Sequence, residues 1–475
     1  MSSKKKQLTC IKAQFYSRII LYQMKTGNPS ARLLAFRTLN RVILKGAYPD
    51  LALERELRDH PHLSAQDIAF LTELVYGVVR WLGKLDYVIG LFASKVRKKE
   101  IQNILRLGVY QVLFLDGVPD YAAISETVSV AKTVYGGKIG NFVNAVLREI
   151  VREGSNLSYP EKENDPIAYM AVKNSFPKWL VQRWIELFGF TYTEKLCQSL
   201  NQVPPLTIRV NPLKTTRDGL IVRLQERGIE LMPTEYSLDG INILSRFDPA
   251  SIPEFDLGLF TVQDEAAQLV SYLLDPKPGD RILDACSAPG GKTTHLAELM
   301  RNEGEVVAFD INQSRLALVG LQAQRLGIGI IKTIIADASK GDGAKEVELK
   351  FDKVLVDAPC SGLGTLRRNP DAKWTKTGTD ILELSGIQFK ILSQVAKMIK
   401  PDGVIVYAVC TLMPEENEGL CERFLQENPE FEIDTAIKSI LPLDPRFFRG
   451  SGFFVSDPVL FNMDGFFAVK FKRMN

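Results

Sequence analysis

A chain of 475 residues, 45% hydrophobic and 24% charged, is too long for one ordinary hydrophobic core and predicts two or three folded domains. Its six cysteines lie far apart without a CxxC pair and it has only three histidines, which argues against a disulfide framework or a zinc site and predicts a reducing compartment, the cytoplasm. The net charge of +3 hides a division, because residues 1–150 carry 22 Lys and Arg against 12 Asp and Glu while the remainder carries 37 against 44. That N-terminal surplus of ten predicts a footprint for a polyanion, although a solvated helical surface would carry the same charge.

Residues 1–30 read as an N-terminal extension, either a basic arm or a disordered segment. In "MSSKKKQLTCIKAQFYSRIILYQM" the interruptions at Lys12, Gln14 and Arg18 argue against a signal peptide, and no run approaches the length of a membrane span. From 31 to 153, segments such as "ARLLAFRTLNRVIL" and "IQNILRLGVYQVLFL" place apolar residues three and four apart, which predicts an all-α bundle. The polar "REGSNLSYPEKENDP" marks a linker. Residues 154–255 then read as linker helices followed by a small α+β subdomain, in which "LTIRVNPLKTTRDGLIVRLQERGIEL" runs strand, helix, strand. From about Phe260, within a last domain spanning 256–475, short β-rich runs alternate with helices. This predicts an α/β Rossmann-like domain with a parallel sheet and helices on both faces.

The first turn of that domain, in "ILDACSAPGGKTTHLAELM", looks like a phosphate loop, but the position that needs its first glycine is Cys286. What remains is a strand (281–284), a small-residue turn and a helix starting at Thr293, the way a doubly wound sheet opens a cofactor site. The strands are predicted to end in Asp284, Asp310, Asp337, Asp357 and Cys410. Asp310 falls about twenty residues past the glycines, where an acidic residue binds ribose hydroxyls, and Asp337 falls where a side chain reaches an adenine. Any one of these carboxylates alone reads equally as a helix cap.

Two thiols near a carboxylate point to a specific chemistry. "LVDAPCSGLG" holds Asp357 and Cys360, and "VYAVCTLMPEENE" holds Cys410. Carbon 5 of a pyrimidine is a poor nucleophile until a thiolate adds to carbon 6, and two strand-end cysteines beside an Asp suit that reaction. Either cysteine alone would pass for a small buried hydrophobe, as Cys10, Cys197 and Cys421 do.

"DACSAPGGKTTH", "DAPCSGLGTLRRNPDAKW", "YAVCTLMPEENE" and "DGFFAVKFKR" together resemble the RNA cytosine-5 methyltransferases of the RsmB/Sun type. "PDYAAISETV" and "GNFVNAVLRE" resemble their NusB-like RNA-binding domain, so the resemblance spans the chain from about Asn28. It implies S-adenosylmethionine as cofactor, and as substrate a cytosine in bacterial small-subunit (16S) ribosomal RNA. A monomer is expected, and the lack of a membrane-length run predicts no membrane association. Matched position by position, it assigns cofactor binding to Cys286, Ser287, Ala288, Pro289, Gly290, Gly291 and Lys292, with Asp310, Asp337 and Asp357. Cys410 matches the nucleophile, Cys360 the cysteine that assists release, and Asp357 the carboxyl group that hydrogen-bonds the pyrimidine.

Some positions depart from the family's pattern. Ser287 and Thr411 replace commoner small residues and are expected to be harmless by size, whereas Asn369 and the Asp120–Tyr121 pair stand where relatives carry other residues at RNA contacts. Three alternatives stay open: Cys360 as nucleophile, as in DNA cytosine methyltransferases; a non-catalytic RNA-binding factor; and a phosphate-loop triphosphatase.

Overall fold

The computed structural model describes residues 29–474 apart from 95, 246, 344–349, 441, 442 and 451. Cys10 and all but the end of the predicted N-terminal extension therefore lie outside the described residues. The chain divides into two compact units, Met1–Thr193 and Glu194–Asn475.

The first unit is helical. Its helices are α1 (Ala31–Lys45), α2 (Pro49–Asp59), α3 (Ala65–Arg80), α4 (Leu82–Phe92), α5 (Lys99–Phe114), α6 (Asp120–Tyr135), α7 (Gly137–Glu153), α8 (Pro166–Asn174) and α9 (Lys178–Phe188). Their limits follow from local chemistry. The Ser30 side chain accepts from Leu33 N to start α1, Gly46 in the left-handed region stops it, and Ser64 caps α3. The apolar stripes then close on one another, with Leu34, Leu71, Leu74, Leu105 and Leu147 fully buried. One polar anchor is buried among them: Arg106 donates to both oxygens of Asp86 at 2.7 Å. Helix α10 (Phe190–Asn201) crosses the division between the units.

The second unit carries two sheets. The smaller joins β1 (Leu206–Val210), β2 (Leu231–Pro233), β3 (Gly240–Ile243) and β4 (Phe260–Val262) in the antiparallel order β2-β3-β1-β4. Helix α11 (Arg217–Glu226) packs Leu220 and Leu224 against it. The alternation from Phe260 predicts the start of the large sheet, but β4 instead completes the small one. Phe260 pairs with Val210 and buries its ring in the small core with Ile208 and Leu220.

Helix α12 (Glu265–Leu273) leads into the large sheet. That sheet's elements are β5 (Arg281–Asp284), α13 (Gly291–Leu299), β6 (Glu305–Asp310), α14 (Gln313–Leu326), β7 (Ile331–Ile335), β8 (Phe351–Asp357), α15 (Gly378–Val395), β9 (Ile399–Val409), α16 (Glu418–Glu427), β10 (Phe431–Ile433), β11 (Phe448–Arg449), β12 (Phe453–Ser456) and β13 (Phe466–Arg473). The strand order is β11-β12-β13-β9-β8-β5-β6-β7, with β10 on β13. Strands β5 to β9 run parallel, as predicted. The sheet as a whole is mixed, because β13 returns antiparallel along β9 with Phe467 opposite Val409, and β10, β11 and β12 extend that antiparallel side. The core lies on both faces of the sheet, around Leu283, Val307, Val356 and Tyr407 on one side and Ile282, Val306, Leu355 and Val406 on the other.

A buried arginine ties the small sheet to the first helix of the large one. Arg209 of β1 is fully buried and bonds both oxygens of Glu298 on α13, at 2.9 and 3.0 Å, as well as Thr294, Gln263 and the Gly291 carbonyl. Breaking such a buried pair by removing one partner typically costs ~3–5 kcal/mol, because the remaining charge stays in the interior.

His295 of α13, one turn from that pair, is also fully buried. It meets the Tyr272 ring edge-on and lies 3.9 Å from Asp239. Burial, reinforced by the Arg209 charge, pushes its pKa down to about 4. The folded protein therefore keeps His295 neutral at pH values where the unfolded chain, titrating near 6.5, takes up a proton. Stability from this residue is present above pH 6.5 and is lost as pH falls toward 4. Urea unfolding at pH 7 and at pH 5 is expected to show a loss in the native protein exceeding that in His295→Gln by ~2 kcal/mol, from ~1.4 kcal/mol per pKa unit. Equal losses would show that His295 does not titrate in this way.

Candidate active site

The carboxyl ends of adjacent parallel strands bring the predicted residues together. Asp284 pairs in register with Ala308 and Leu355, and Asp357 with Ala408, so the segments after β5, β6, β8 and β9 leave the sheet at the same edge.

The loop after β5 is held by its neighbours. Ser287 donates twice to the Phe309 carbonyl, from its N–H at 2.8 Å and its hydroxyl at 2.9 Å, and the Ala288 N–H reaches Asp310 Oδ2 at 3.2 Å. The Gly290 N–H closes back on the Ser287 carbonyl, and Arg315 grips the Ala288 carbonyl at 3.0 Å. Pro289 is exposed, and Gly290 has φ +108, where an added Cβ would sit 3.1 Å from Val319 Cα. Helix α13 begins at Gly291, two residues earlier than predicted. Three of the loop's N–H groups are thus consumed by the protein's own oxygens, and no phosphate cradle is formed by them.

Carboxylates surround this loop. Asp284 is fully buried behind it, accepts from Thr293 at 2.7 Å, and is pushed up to about 7 by burial, with Asp357 adding to the effect. The half-buried Cys286 thiol is pushed well above its ordinary value by burial and by Asp284, Asp357, Asp310 and Asp337. Such a field favours a cationic ligand over a polyphosphate. An open depression of about 630 Å³ follows directly after Asp310, lined by Ile311, Asn312, Gln313, Ser314 and Ala317.

Asp337 departs from its predicted place. Strand β7 ends at Ile335, and Asp337 caps the short helical turn that follows, accepting from the Ser339 N–H and hydroxyl and pairing with Lys340 at 2.9 Å. Its carboxylate lies below the ordinary range because of those Ser339 and Lys340 contacts. Asp337 thus makes a cap contact beyond the strand, while Asp310 joins the loop to β6.

The catalytic candidates are the tightest group. Lys292 donates to Asp357 Oδ2 at 2.7 Å and lies over the Phe466 ring. Burial opposes its charge, yet Asp357 beside it, with Cys410 and Asp284 nearby, holds its pKa above the ordinary value. Cys360 and Cys410, both half-buried, bring their sulfurs to 3.2 Å as a hydrogen-bonded pair of free thiols. That bond, together with burial, pushes Cys360 well above the usual thiol range. The backbone also holds Cys410, whose carbonyl accepts from Gly364 N at 3.0 Å. By contrast, Cys197 and Cys421 are fully buried and their thiols are pushed up by burial.

Sequence reasoning missed two groups. Glu416 is fully buried and receives hydrogen bonds from Ser361 and Thr411, the residues that follow the two cysteines. Thr411, expected to matter only by size, is thus a donor. Arg209 holds the start of α13 through the Gly291 carbonyl. The "PEENE" run carried a signal for the first; nothing local marked the second. Of the departures from the family pattern, Asn369 is exposed and bonds Thr365, and Asp120 and Tyr121 are exposed at the start of α6.

Residues 271–472 match the family described as 16S rRNA methyltransferase RsmB/F, residues 29–152 the NusB family, and residues 176–248 the RsmF/B-like ferredoxin-like domain. The probable ribosomal RNA small subunit methyltransferase B of Bacillus subtilis is 39% identical over 447 residues, covering 94% of this chain and 99% of that protein. The chain belongs to the RsmB family. Among solved structures, PH0851 is 29% identical with a TM-score of 0.79, covering 94% of this chain and all of the other. A methyltransferase homolog from Pyrococcus horikoshii is 28% identical with a TM-score of 0.56, covering 66% and 100%. The architecture is therefore a NusB-like helical domain, a small ferredoxin-like domain and a mixed-sheet methyltransferase domain. Among the described residues, no helix is long and apolar enough to cross a membrane.

The grip on Cys410 is testable at Gly364, where an added Cβ would lie 1.9 Å from the Gly465 carbonyl oxygen and 3.0 Å from that of Cys410. Gly364→Ala is expected to destabilise the protein by ~1–3 kcal/mol in denaturant unfolding, the usual cost of overpacking. Gly378→Ala, which meets open space, is expected to leave stability intact.

Proposed function

We propose that this protein transfers the methyl group of S-adenosylmethionine to carbon 5 of a cytosine in small-subunit (16S) ribosomal RNA, through a covalent adduct on Cys410. The observation that carries this reading is the thiol pair at 3.2 Å at the same strand edge as the Lys292–Asp357 pair. Membership of an rRNA methyltransferase family supports the reaction class. The carboxylate-rich loop supports the cofactor, which is a sulfonium cation without phosphate and supplies an electrophilic methyl group. Cys286 to Lys292, with Asp310, Asp337 and Asp357, would hold it. Asp310 is the ribose ligand in this reading, and its loss should weaken binding by ~1–3 kcal/mol in calorimetry.

In the proposed sequence, the Cys410 thiolate adds to carbon 6 and the new S–C6 bond makes carbon 5 enamine-like. Asp357, held by Lys292, accepts from the amine and, when it carries a proton, donates to the ring nitrogen as negative charge builds there. Carbon 5 takes the methyl group, its proton passes to a water molecule acting as base, and the S–C6 electron pair returns to sulfur to restore the Cys410 thiolate. Cys360 fits the assisting role because its thiol, bonded to Cys410 and buried, is pushed well above the usual range and keeps its proton. The same observation favours Cys410 over Cys360 as the attacking group.

Residues 1–150 supply RNA affinity through their basic surplus, six of whose ten charges lie in 1–30 and the rest in the helical domain taken as 31–153, while 154–255 and 256–475 form the subdomain and the catalytic domain, apart from β4, which completes the small sheet. The protein works in the cytoplasm, as a monomer.

Denaturing gels of protein incubated with ribosomal RNA and cofactor test the assignment. Cys410→Ala is expected to abolish both methyl transfer and any RNA-linked protein. Cys360→Ala is expected to attack and then stall, accumulating a slow band that ribonuclease removes. A trapped band in Cys410→Ala and none in Cys360→Ala would reverse the roles of the two thiols.

A further inference from the structure

We propose that Glu416 is the positioning residue that sets the two thiols against each other. The inference rests on the two-thiol reading above and adds to it the group that holds the pair. Strand β8 ends at Asp357 and β9 at Val409, so Cys360 and Cys410 both lie beyond the regular ladder and their approach needs a further tether.

Glu416, in the turn before α16, supplies that tether. Its Oε1 accepts from the Ser361 N–H at 2.8 Å and from Gln388 Nε2 at 2.9 Å. Its Oε2 accepts from the Ser361 hydroxyl at 2.5 Å and the Thr411 hydroxyl at 3.0 Å. Four donors fill the four lone-pair positions of one carboxylate. Ser361 follows Cys360 and Thr411 follows Cys410, and their hydroxyls also meet each other at 2.8 Å. Gln388 closes the far side by donating to the carbonyl of Pro359, the residue before Cys360. The turn itself is fixed because Tyr407 donates to the Glu416 carbonyl at 2.7 Å and the Glu416 N–H reaches the Met413 carbonyl at 3.0 Å.

All of Ser361, Gln388, Tyr407, Thr411 and Glu416 are buried, so water does not compete for these bonds. A carboxylate strengthens each of them relative to a neutral acceptor. Glu416 touches neither sulfur; it acts through the residue after each cysteine. Its consequence for the reaction is specific: Cys360 must stay beside Cys410 after the methyl group has been transferred, and a looser pair should attack more readily than it releases.

The full-length Glu416→Gln protein tests this, because the amide keeps the size of the side chain but replaces one acceptor oxygen with a donor. With ribosomal RNA and adenosylmethionine, kcat is expected to fall ~10–100-fold, the scale of an ångström-sized misplacement. KM for adenosylmethionine should stay within about twofold, since the change lies outside the cofactor loop. The share of protein in the RNA-linked band should rise above that of the native protein, because release suffers more than attack. A purely structural role would lower all activities together without enriching that band, and this result, or an unchanged kcat, would overturn the proposal. If Glu416→Gln does not melt cooperatively, Ser361→Ala and Thr411→Val decide the question, each removing one hydroxyl donor while leaving the carboxylate in place. An RNA-linked share equal to that of the native protein in both would overturn the proposal. Failure of the Cys360→Ala protein to form any Cys410-dependent band would instead overturn the two-thiol reading, and the proposal with it.

Discussion

The parallel ladder between β8 and β9, ending with Asp357 opposite Ala408, brings two thiols and a carboxylate to one edge of the sheet. Cys360 lies three residues beyond Asp357 and Cys410 two residues beyond Ala408, so each is reached within a short turn from paired backbone. Side chains alternate across a strand, and a one-residue slip would exchange the faces of Val356, Tyr407 and their neighbours. The two cores fix the register, since Val356 and Tyr407 are buried on one face while Leu355 and Val406 are buried on the other. Hydrophobic burial on both sides of the sheet is therefore what positions polar chemistry at its edge.

Beyond the ladder, hydrogen bonds to charged groups take over from the sheet. Arg209 reaches from the small sheet to Glu298 and the Gly291 carbonyl, fixing the start of α13. Lys292, one residue further on, turns toward Asp357. Glu416 grips the flanks of Cys360 and Cys410. Each of these groups is costly to bury alone and satisfied only in this arrangement, so each makes the local geometry specific. The loop after β5 uses neutral groups to the same end, spending its N–H groups on Phe309 and Asp310 and leaving a field of carboxylates around Cys286.

Much of this was legible in the sequence because it is local. Strands β5, β6 and β8 are apolar runs closed by Asp, and the helical stripes of the first unit recur at three and four residues. Cys360 and Cys410 stood out because the motifs around them carry a definite chemistry. Other features depended on partners distant in the chain. The short β4 run could not reveal that β1 offered it an edge, nor "FFAVKFKR" that it would lie antiparallel to β9. Asp337 looked like a strand end because Ile334, Ile335 and Ala336 run straight up to it, while the cap it makes is decided by Ser339 two residues later. Arg209 and Glu298 are 89 residues apart, and no periodicity links them. Thr411 passed as a size change because its hydroxyl acquires meaning only through a carboxylate five residues further along.

The central claim, that Cys410 forms the bond to the base, is tested most directly by identifying the cross-linked residue. Small-subunit ribosomal RNA made with 5-fluorocytidine cannot lose its C5 substituent as a proton, so a completed methyl transfer leaves enzyme and RNA joined. Mass spectrometry of the digested complex, formed with full-length protein and adenosylmethionine, is expected to find the nucleotide on the peptide containing Cys410. A nucleotide carried on the Cys360 peptide, or methyl transfer without any cross-link, would contradict the account.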